Sequence, residues 1–161
     1  MPLTTAQREQ AVRAAKEWMG TPYHHQARVK GAGADCALFP LAVYQECGLV
    51  PADFQPPEYS MQWHLHRSEE LYLETIAPFV QELSLTSRAE RGSPISLNTA
   101  EGIQPADFVV FKFGRTFSHG AIVVAWPLVI HSYIPHGVTL ADASTDAQLI
   151  GREYKVFEVK A

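Results

Sequence analysis

The stretch TPYHHQARVKGAGADCALFPLAVYQECGLV, Thr21–Val50, joins a polar segment with two glycines to an apolar run that follows Cys36. Asp35 has the side chain of a helix N-cap, and Gly48 is typical of a helix C-terminus. The sequence therefore predicts a helix from about Cys36 to Cys47. Partial positive charge at a helix N-terminus lowers the pKa of a cysteine and increases its thiolate fraction, so Cys36 is a candidate nucleophile.

Two further residues of this predicted helix need an interpretation. Pro40 lies within it and has no N–H to donate to the carbonyl of Cys36, so we expect a kink there. Cys47 lies at the opposite end, where the helix dipole disfavours a thiolate, and we interpret it as a buried structural thiol. On one helix the two cysteines are separated by roughly 16 Å, too far for a disulfide.

Composition restricts the class of protein. The chain has 161 residues and a net charge of −4, which argues against nucleic acid as a partner. A charged N-terminal segment without a signal-peptide core and the lack of a transmembrane-length apolar run argue against an integral membrane protein. By default, these features predict a cytoplasmic location.

The rest of the chain predicts helices first and strands afterwards. Thr4 and Gln7 fit a capping box for an amphipathic first helix that Gly20 ends. Apolar spacing over Met61–Leu83 suits another helix, bent or ended early by Pro78. Residues 84–105 have the composition of a surface connection. Five short β-type runs then follow: DFVVFKF, HGAIVVAW, LVIHSYI, GVTLA and YKVFEV. This order predicts an α+β fold with an antiparallel sheet packed on helices.

His119 and His131 lie in two consecutive predicted strands joined by a turn near Ala125 to Pro127. In an antiparallel hairpin, an odd loop places them directly opposite on one face, whereas an even loop without a bulge places them on opposite faces. On one face, a thiol, a base and an orienting imidazole would form the arrangement of cysteine acyl-transfer enzymes. A structural role for either histidine is the alternative.

These residues resemble the NlpC-type cell-wall cysteine peptidases, which share a compact papain-like fold. The loop that carries His24, His25 and Arg28 and the stretch from Trp63 to His66 look most like the phage-associated branch of that family. That family has a Gly-x-x-Tyr segment, a glycine-containing loop with Asp-Cys at a helix start, a Pro-Gly-Asp-Leu strand start, a His-Val-Gly-Ile strand and a polar residue on the next strand. The matching residues here are Gly20 and Tyr23, Gly33, Asp35 and Cys36, Pro105 to Phe108, His119 to Ile122, and His131. The chain departs from the family where Ala37 and Leu38 follow Cys36 in place of Ser-Gly.

The resemblance implies a single catalytic domain, 1–161, with Cys36 as nucleophile, His119 as general base and His131 as the orienting residue. It also implies that the Tyr23 hydroxyl and the Cys36 N–H stabilise the oxyanion. The expected reaction is hydrolysis of amide bonds in peptidoglycan stem peptides next to γ-D-glutamate, without metal or cofactor. Partners implied by the phage-associated branch are tail proteins of a phage or gene-transfer particle, which would deliver the enzyme to the cell wall.

Two other functions fit the same residues. One is an acyltransferase or deacylase that uses the same thiol and imidazole, and the other is an inactive structural module of a phage-like particle. Some side chains also have two interpretations. The pairs His24, His25 and His64, His66 resemble parts of a zinc site, but we favour exposed polar clusters. For Asp107 we favour a turn-capping role over an acid, and for Asp35 an N-cap over a substrate ammonium site.

Overall fold

The computed structural model describes residues 2–59, 70–83 and 102–160. The helices in these ranges are α1 (Thr5–Glu17), α2 (Leu38–Glu46) and α3 (Leu71–Ile76), and α3 continues into a 3₁₀ turn at Ala77–Phe79. The strands are β1 (Arg28–Val29), β2 (Gly33–Ala34), β3 (Val80–Leu83), β4 (Phe108–Phe113), β5 (Thr116–Ala125), β6 (Leu128–Tyr133), β7 (Gly137–Asp142) and β8 (Tyr154–Val159). The predicted α+β class is confirmed.

Six strands form one antiparallel sheet in the order β3-β8-β4-β5-β6-β7. Alternate residues of β4 enter two different apolar clusters, because successive side chains of a strand point to opposite faces. Phe108 and Val110 belong to the cluster that includes α1 and α2, whereas Val109 and Phe111 pack with Leu149. Both faces of the central strands are therefore buried, which explains their nearly continuous apolar sequences.

Helix α1 begins with the predicted capping box. The Gln7 N–H donates to the Thr4 hydroxyl at 3.2 Å, and the Thr4 N–H donates to the Gln7 side chain at 2.9 Å. Inside the fold, Arg8 donates to Asp107 at 2.7 Å and to Glu158 at 2.5 Å. This ion-paired network connects α1 to the start of β4 and to β8.

Helix α2 begins later than the sequence predicts. The Phe39 N–H donates to the Asp35 carbonyl at 3.1 Å, but Pro40 has no N–H for the next bond in the series, so the regular helix starts at Leu38. Pro40 consequently lies in the first turn of α2, where a missing N–H is tolerated. The proline delays the start of the helix.

The predicted helix over Met61–Leu83 is wrong at its C-terminal end. Helix α3 ends at Ile76, Pro78 lies in the 3₁₀ turn, and Val80–Leu83 forms the edge strand β3, paired with β8. Residues 60–69 and 84–101 of the predictions lie outside the described residues. Within the described parts of the chain, no helix is long and apolar enough to cross a membrane.

Candidate active site

Asp35 organises the start of α2. One of its carboxylate oxygens accepts from the N–H groups of Ala37 at 3.1 Å and Leu38 at 2.8 Å, which is the pattern of an N-cap. The other accepts from the Gln26 N–H at 2.8 Å and from the Tyr59 hydroxyl. Asp35 is 1% exposed, and both oxygens are committed to the protein. We therefore interpret this carboxylate as structural.

Cys36 is partly exposed at the point where this cap meets the sheet. Its thiol lies 3.9 Å from the carbonyl oxygen of Ser118, the residue before His119 on β5. The Tyr23 side chain is close enough to Cys36 to lower the pKa of its thiol. The structure thus brings together the predicted nucleophile and the predicted oxyanion donor, beside the strand that carries His119.

The environment of Cys36 changes the predicted chemistry of its thiol. Burial and, as a smaller cause, the charge of Asp35 raise the pKa of Cys36 to about 12, although the Tyr23 side chain and the N–H groups of Cys36 and Ala37 act in the opposite direction. The expected lowering by the helix N-terminus is present, but desolvation is larger. The thiol is therefore protonated at neutral pH in the free protein, contrary to the sequence-based expectation.

Tyr23 is suited to donate a hydrogen bond. Burial raises the pKa of Tyr23 well above its ordinary value, and the charges of Cys36 and Asp35 raise it further. The phenol therefore keeps its proton at neutral pH. The segment that carries Tyr23 is held by a bridge to Ala34 and by the bond of the Val138 N–H to the Thr21 carbonyl at 2.9 Å.

The two predicted histidines are in contact. His119 Nε2 and His131 Nδ1 are 2.7 Å apart, and the rings are nearly perpendicular with centroids 5.0 Å apart. They are 3% and 2% exposed. Ile122 on β5 pairs with Ile130 on β6. Each histidine is an odd number of residues along its own strand from this pair. Both histidine side chains therefore lie on the same face of the sheet.

The two histidines share a face, but not because the loop has the predicted odd number of residues. Ala125 pairs with Leu128 across a two-residue turn, and a register shift between Val123 and Ala125 adds one unpaired residue. An even loop alone would place the histidines on opposite faces, and the bulge restores the shared face. The two histidines are offset along the strands, not directly opposite.

His131 is held in its neutral form. Burial lowers the pKa of His131 to about 4, while Asp146 acts in the opposite direction and His136 in the same one. Both of those residues line a cavity of about 180 Å³ that His131 also borders. A neutral His131 has one ring nitrogen free to accept a hydrogen bond, and at Nδ1 it meets His119.

Aromatic side chains that sequence reasoning missed surround His119. Phe113 stacks on the His119 ring with centroids 4.6 Å apart, and the guanidinium of Arg152 lies 3.6 Å from the centre of the Phe113 ring. Tyr133 also packs against His119, with ring centroids 5.7 Å apart. The apolar β-type runs contain Phe113 and Tyr133, but the sequence alone gives no sign that they meet the imidazole.

The remaining predicted residues lie elsewhere. Cys47 is a free, partly exposed thiol at the far end of α2, so it is less buried than expected.

His25 Nε2 lies 3.0 Å from the Tyr59 carbonyl. His64 and His66 lie outside the described residues. In residues 2–59, 70–83 and 102–160, no three His, Cys, Asp or Glu side chains are grouped as a metal site would require. Asp107 accepts from the Gln104 N–H at 2.8 Å, a turn-capping bond.

Two solved structures share this fold. The NlpC/p60 domain of the peptidoglycan hydrolase SagA aligns with 92% of this chain and 97% of its own, with a TM-score of 0.54 and 16% identity. An N-acetylmuramoyl-L-alanine amidase from Bacteroides uniformis aligns over 97% of this chain and 100% of its own, with a TM-score of 0.56 and 10% identity. The chain matches no protein-family model and no curated protein. The expected NlpC-type fold is confirmed.

Proposed function

We propose that the protein is a cysteine peptidase that hydrolyses amide bonds in peptidoglycan stem peptides, next to γ-D-glutamyl residues. The observation that carries the proposal is the position of the Cys36 thiol, which lies 3.9 Å from the Ser118 carbonyl on the strand that also carries His119, one member of a bonded pair of histidines. The shared fold supports peptidoglycan as the substrate, because both structural neighbours are named for action on the cell wall.

In the proposed mechanism, His119 removes the Cys36 proton as the sulfur attacks the scissile carbonyl carbon. For His119 to accept this proton at Nδ1, its Nε2 carries a proton that is donated to Nδ1 of neutral His131. His131 therefore selects the His119 tautomer that can act as base. Since the free thiol is protonated, transfer of its proton to His119 accompanies the attack, in place of a preformed ion pair.

The negative charge of the tetrahedral intermediate forms on the former carbonyl oxygen. The Tyr23 phenol and the Cys36 backbone N–H are the proposed donors to this oxygen. The protonated His119 then donates its proton to the leaving amine as the C–N bond breaks, which leaves a thioester on Cys36. A water molecule, deprotonated by His119, attacks the thioester and releases the carboxylic acid and the free thiol.

The direct test is mass spectrometry of purified muropeptides after incubation with the protein. We expect products that end in γ-D-glutamate, in the presence of EDTA as well as in its absence. Cys36→Ala should give no products while it stays folded, and Cys47→Ala, which removes the other thiol, should act like the wild type. Cleavage between the sugar and L-alanine would contradict the proposed bond, and full activity of Cys36→Ala would contradict the mechanism.

A further inference from the structure

We propose that Asp146 is a positioning residue for the candidate active site, and that it acts on His131 through water in the cavity that both side chains border. This inference rests on the proposed function and deepens it, because it adds one residue behind the pair of histidines. Asp146 lies in the turn that follows β7, outside the motifs that carry the family resemblance.

The two histidines alone do not determine which of them donates to the other. His119 Nε2 and His131 Nδ1 are 2.7 Å apart, so when both rings are neutral one nitrogen carries the shared proton and the other accepts it. If His119 donates, both rings carry their proton on Nε2, and Nδ1 of His119 is free to act as base. If His131 donates, both rings carry their proton on Nδ1, and His119 has no nitrogen for the thiol proton. A group that favours a proton on Nε2 of His131 therefore favours the active arrangement.

Nε2 of His131 faces a cavity that contains such a group. The cavity has a volume of about 180 Å³, and its wall includes His131, His136 and Asp146 but not His119. Because Nδ1 of His131 meets His119, the edge of the ring that carries Nε2 is the one left to border the cavity. In the part of the chain that the structure describes, Thr116 Oγ1 is the buried side-chain polar atom without a hydrogen-bond partner. Nε2 of His131 bonds to no described residue and is not such a buried atom, so water reaches it.

Asp146 is held in place beside this cavity. Its Oδ1 accepts from the Gln148 N–H at 2.9 Å, and the Gln148 side chain accepts from the Tyr133 hydroxyl at 2.7 Å. The Tyr133 ring stacks on the His131 ring, with centroids 5.9 Å apart and planes inclined by 22°. The turn that carries Asp146 is therefore fixed against the imidazole on which we propose that it acts. Its Oδ2 bonds to none of the described residues and is available to water.

The charge of Asp146 reaches His131. Burial is the largest effect on the pKa of His131 and lowers it, but Asp146 raises this pKa and has the largest effect of any charged group. His136, on the same cavity, acts in the opposite direction to Asp146. The cavity is polar and large enough for water, and its rim at His136 and Gln148 is exposed. A water molecule that accepts from Nε2–H of His131 and donates to Asp146 favours the active tautomer. The same chain of hydrogen bonds stabilises the positive charge that His119 gains with the thiol proton.

The tautomer can be measured without any substrate. In isotope-labelled protein, long-range proton–nitrogen NMR correlations distinguish protonated from unprotonated ring nitrogens. We expect the wild type at neutral pH to carry the His131 proton on Nε2, and Asp146→Asn to shift the population toward Nδ1. The asparagine keeps an oxygen for the Gln148 N–H, so the turn should be retained. A His131 proton on Nδ1 in the wild type, or an unchanged tautomer population in Asp146→Asn, would overturn the proposal.

Muropeptide cleavage gives a second measurement. Asp146→Asn should lower kcat by about tenfold and leave KM unchanged, because the carboxylate acts on the histidines and not on the substrate. Asp146→Glu keeps the charge beside the water-filled cavity and should keep most of the activity. The matched control is Asp142→Asn, since the Asp142 carboxylate accepts from the Ser144 N–H at 2.9 Å and does not line the cavity. Wild-type kcat in Asp146→Asn, or an equal loss in Asp142→Asn, would contradict the role of Asp146.

The role of Asp146 and the proposed function fail separately. A tautomer shift in Asp146→Asn, together with a wild type that cleaves no muropeptide, would reject the peptidase and keep the positioning role. Muropeptide cleavage that Asp146→Asn leaves unchanged would reject the positioning role alone.

Discussion

At the scale of single residues, the proton of Cys36 decides how the site works. Burial and the Asp35 carboxylate oppose ionisation, whereas the Tyr23 side chain and the α2 N-terminus favour it. Desolvation is the largest of these effects, so the resting site holds a thiol. A thiol that ionises only as it attacks needs a base with a defined tautomer. In the proposed mechanism, His119 is that base, and its contact with His131 fixes the tautomer.

The first prediction concerns the reactivity of this thiol. In Cys47→Ala, the rate constant for alkylation of Cys36 by iodoacetamide should rise about tenfold per pH unit from pH 7 to 10, because only the thiolate reacts and the pKa is raised to about 12. The measurement is a pH series followed by mass spectrometry of the labelled peptide. A plateau reached below pH 8 would show a thiolate already formed in the free protein.

The second prediction concerns His131 as an acceptor. His131→Leu should lower kcat for muropeptide cleavage by about 10²- to 10⁴-fold, because His119 loses the acceptor that fixes its tautomer. His131→Asn retains an acceptor oxygen near the position of Nδ1 and should keep much more activity. Steady-state kinetics of the two variants, with circular dichroism to check folding, tests this. Similar losses in both variants would assign His131 a packing role.

At this scale, the sequence predicts the residues that form local patterns. Asp35 next to Cys36 predicts a capped helix start, and the alternation of strand residues brings His119 and His131 into consideration together. The sequence does not predict contacts between segments that are distant along the chain. The raised pKa of Cys36 depends on its burial, and neither Tyr59 nor Tyr72 carries a local signal, because 23 and 36 residues, respectively, separate them from Cys36 in the sequence.

At the scale of elements, the packing of α2 on β5 positions the site. A Cβ atom on Gly120 would lie 2.7 Å from the Tyr72 hydroxyl, 2.9 Å from the Phe108 ring and 3.0 Å from the Pro40 ring. These distances are shorter than normal contacts, so a glycine next to His119 is what permits the close approach of α2. Pro40, which delays the start of the helix, is also one of the groups packed against this glycine.

The third prediction follows from this contact. Gly120→Ala should reduce the free energy of unfolding by about 1–3 kcal/mol, because the added methyl group overpacks a site formed by two rings and a buried hydroxyl. It should also reduce muropeptide cleavage, since α2 carries Cys36. Ala125→Ser adds one atom at the exposed end of the same strand and serves as control. Denaturant unfolding measures both, and an unchanged Gly120→Ala would contradict the packing argument.

The elements differ in how well the sequence predicts them. The runs that became β4 to β8 are short, apolar and separated by turn residues, so local pattern and tertiary pairing agree. Val80 and Leu83 are spaced as on a helix, yet they form β3, since Pro78 interrupts the helix and β8 offers an edge to pair with. The β5–β6 bulge has no local signal, and it sets the histidine register.

At the scale of the whole molecule, one ion-paired network joins the first helix to the sheet. The Arg8 side chain is 10% exposed and donates to Asp107, which is 1% exposed, and to Glu158, which is 21% exposed. Burial raises the pKa of Asp107 above its ordinary value of 3.8, although a backbone hydrogen bond from Gln104 and the Arg8 guanidinium lower it. The contribution of this carboxyl to stability is therefore fully present below pH 3.8 and is lost as the pH rises through the raised folded-state pKa.

The fourth prediction follows from this dependence of stability on pH. Arg8→Met leaves Asp107 and Glu158 without their cation, so at pH 7 the free energy of unfolding should fall by about 3 kcal/mol. Without Arg8, the folded-state pKa of Asp107 rises further. As the pH falls, Asp107 takes up a proton and no longer needs a cationic partner. The loss in free energy of unfolding should therefore be smaller at low pH. Urea unfolding at pH 4 and pH 7 measures the difference. Arg13→Met, at an exposed position of the same helix, should change stability little at either pH. A loss independent of pH would show that Arg8 stabilises the fold by packing of its aliphatic part, and not by pairing with these carboxylates.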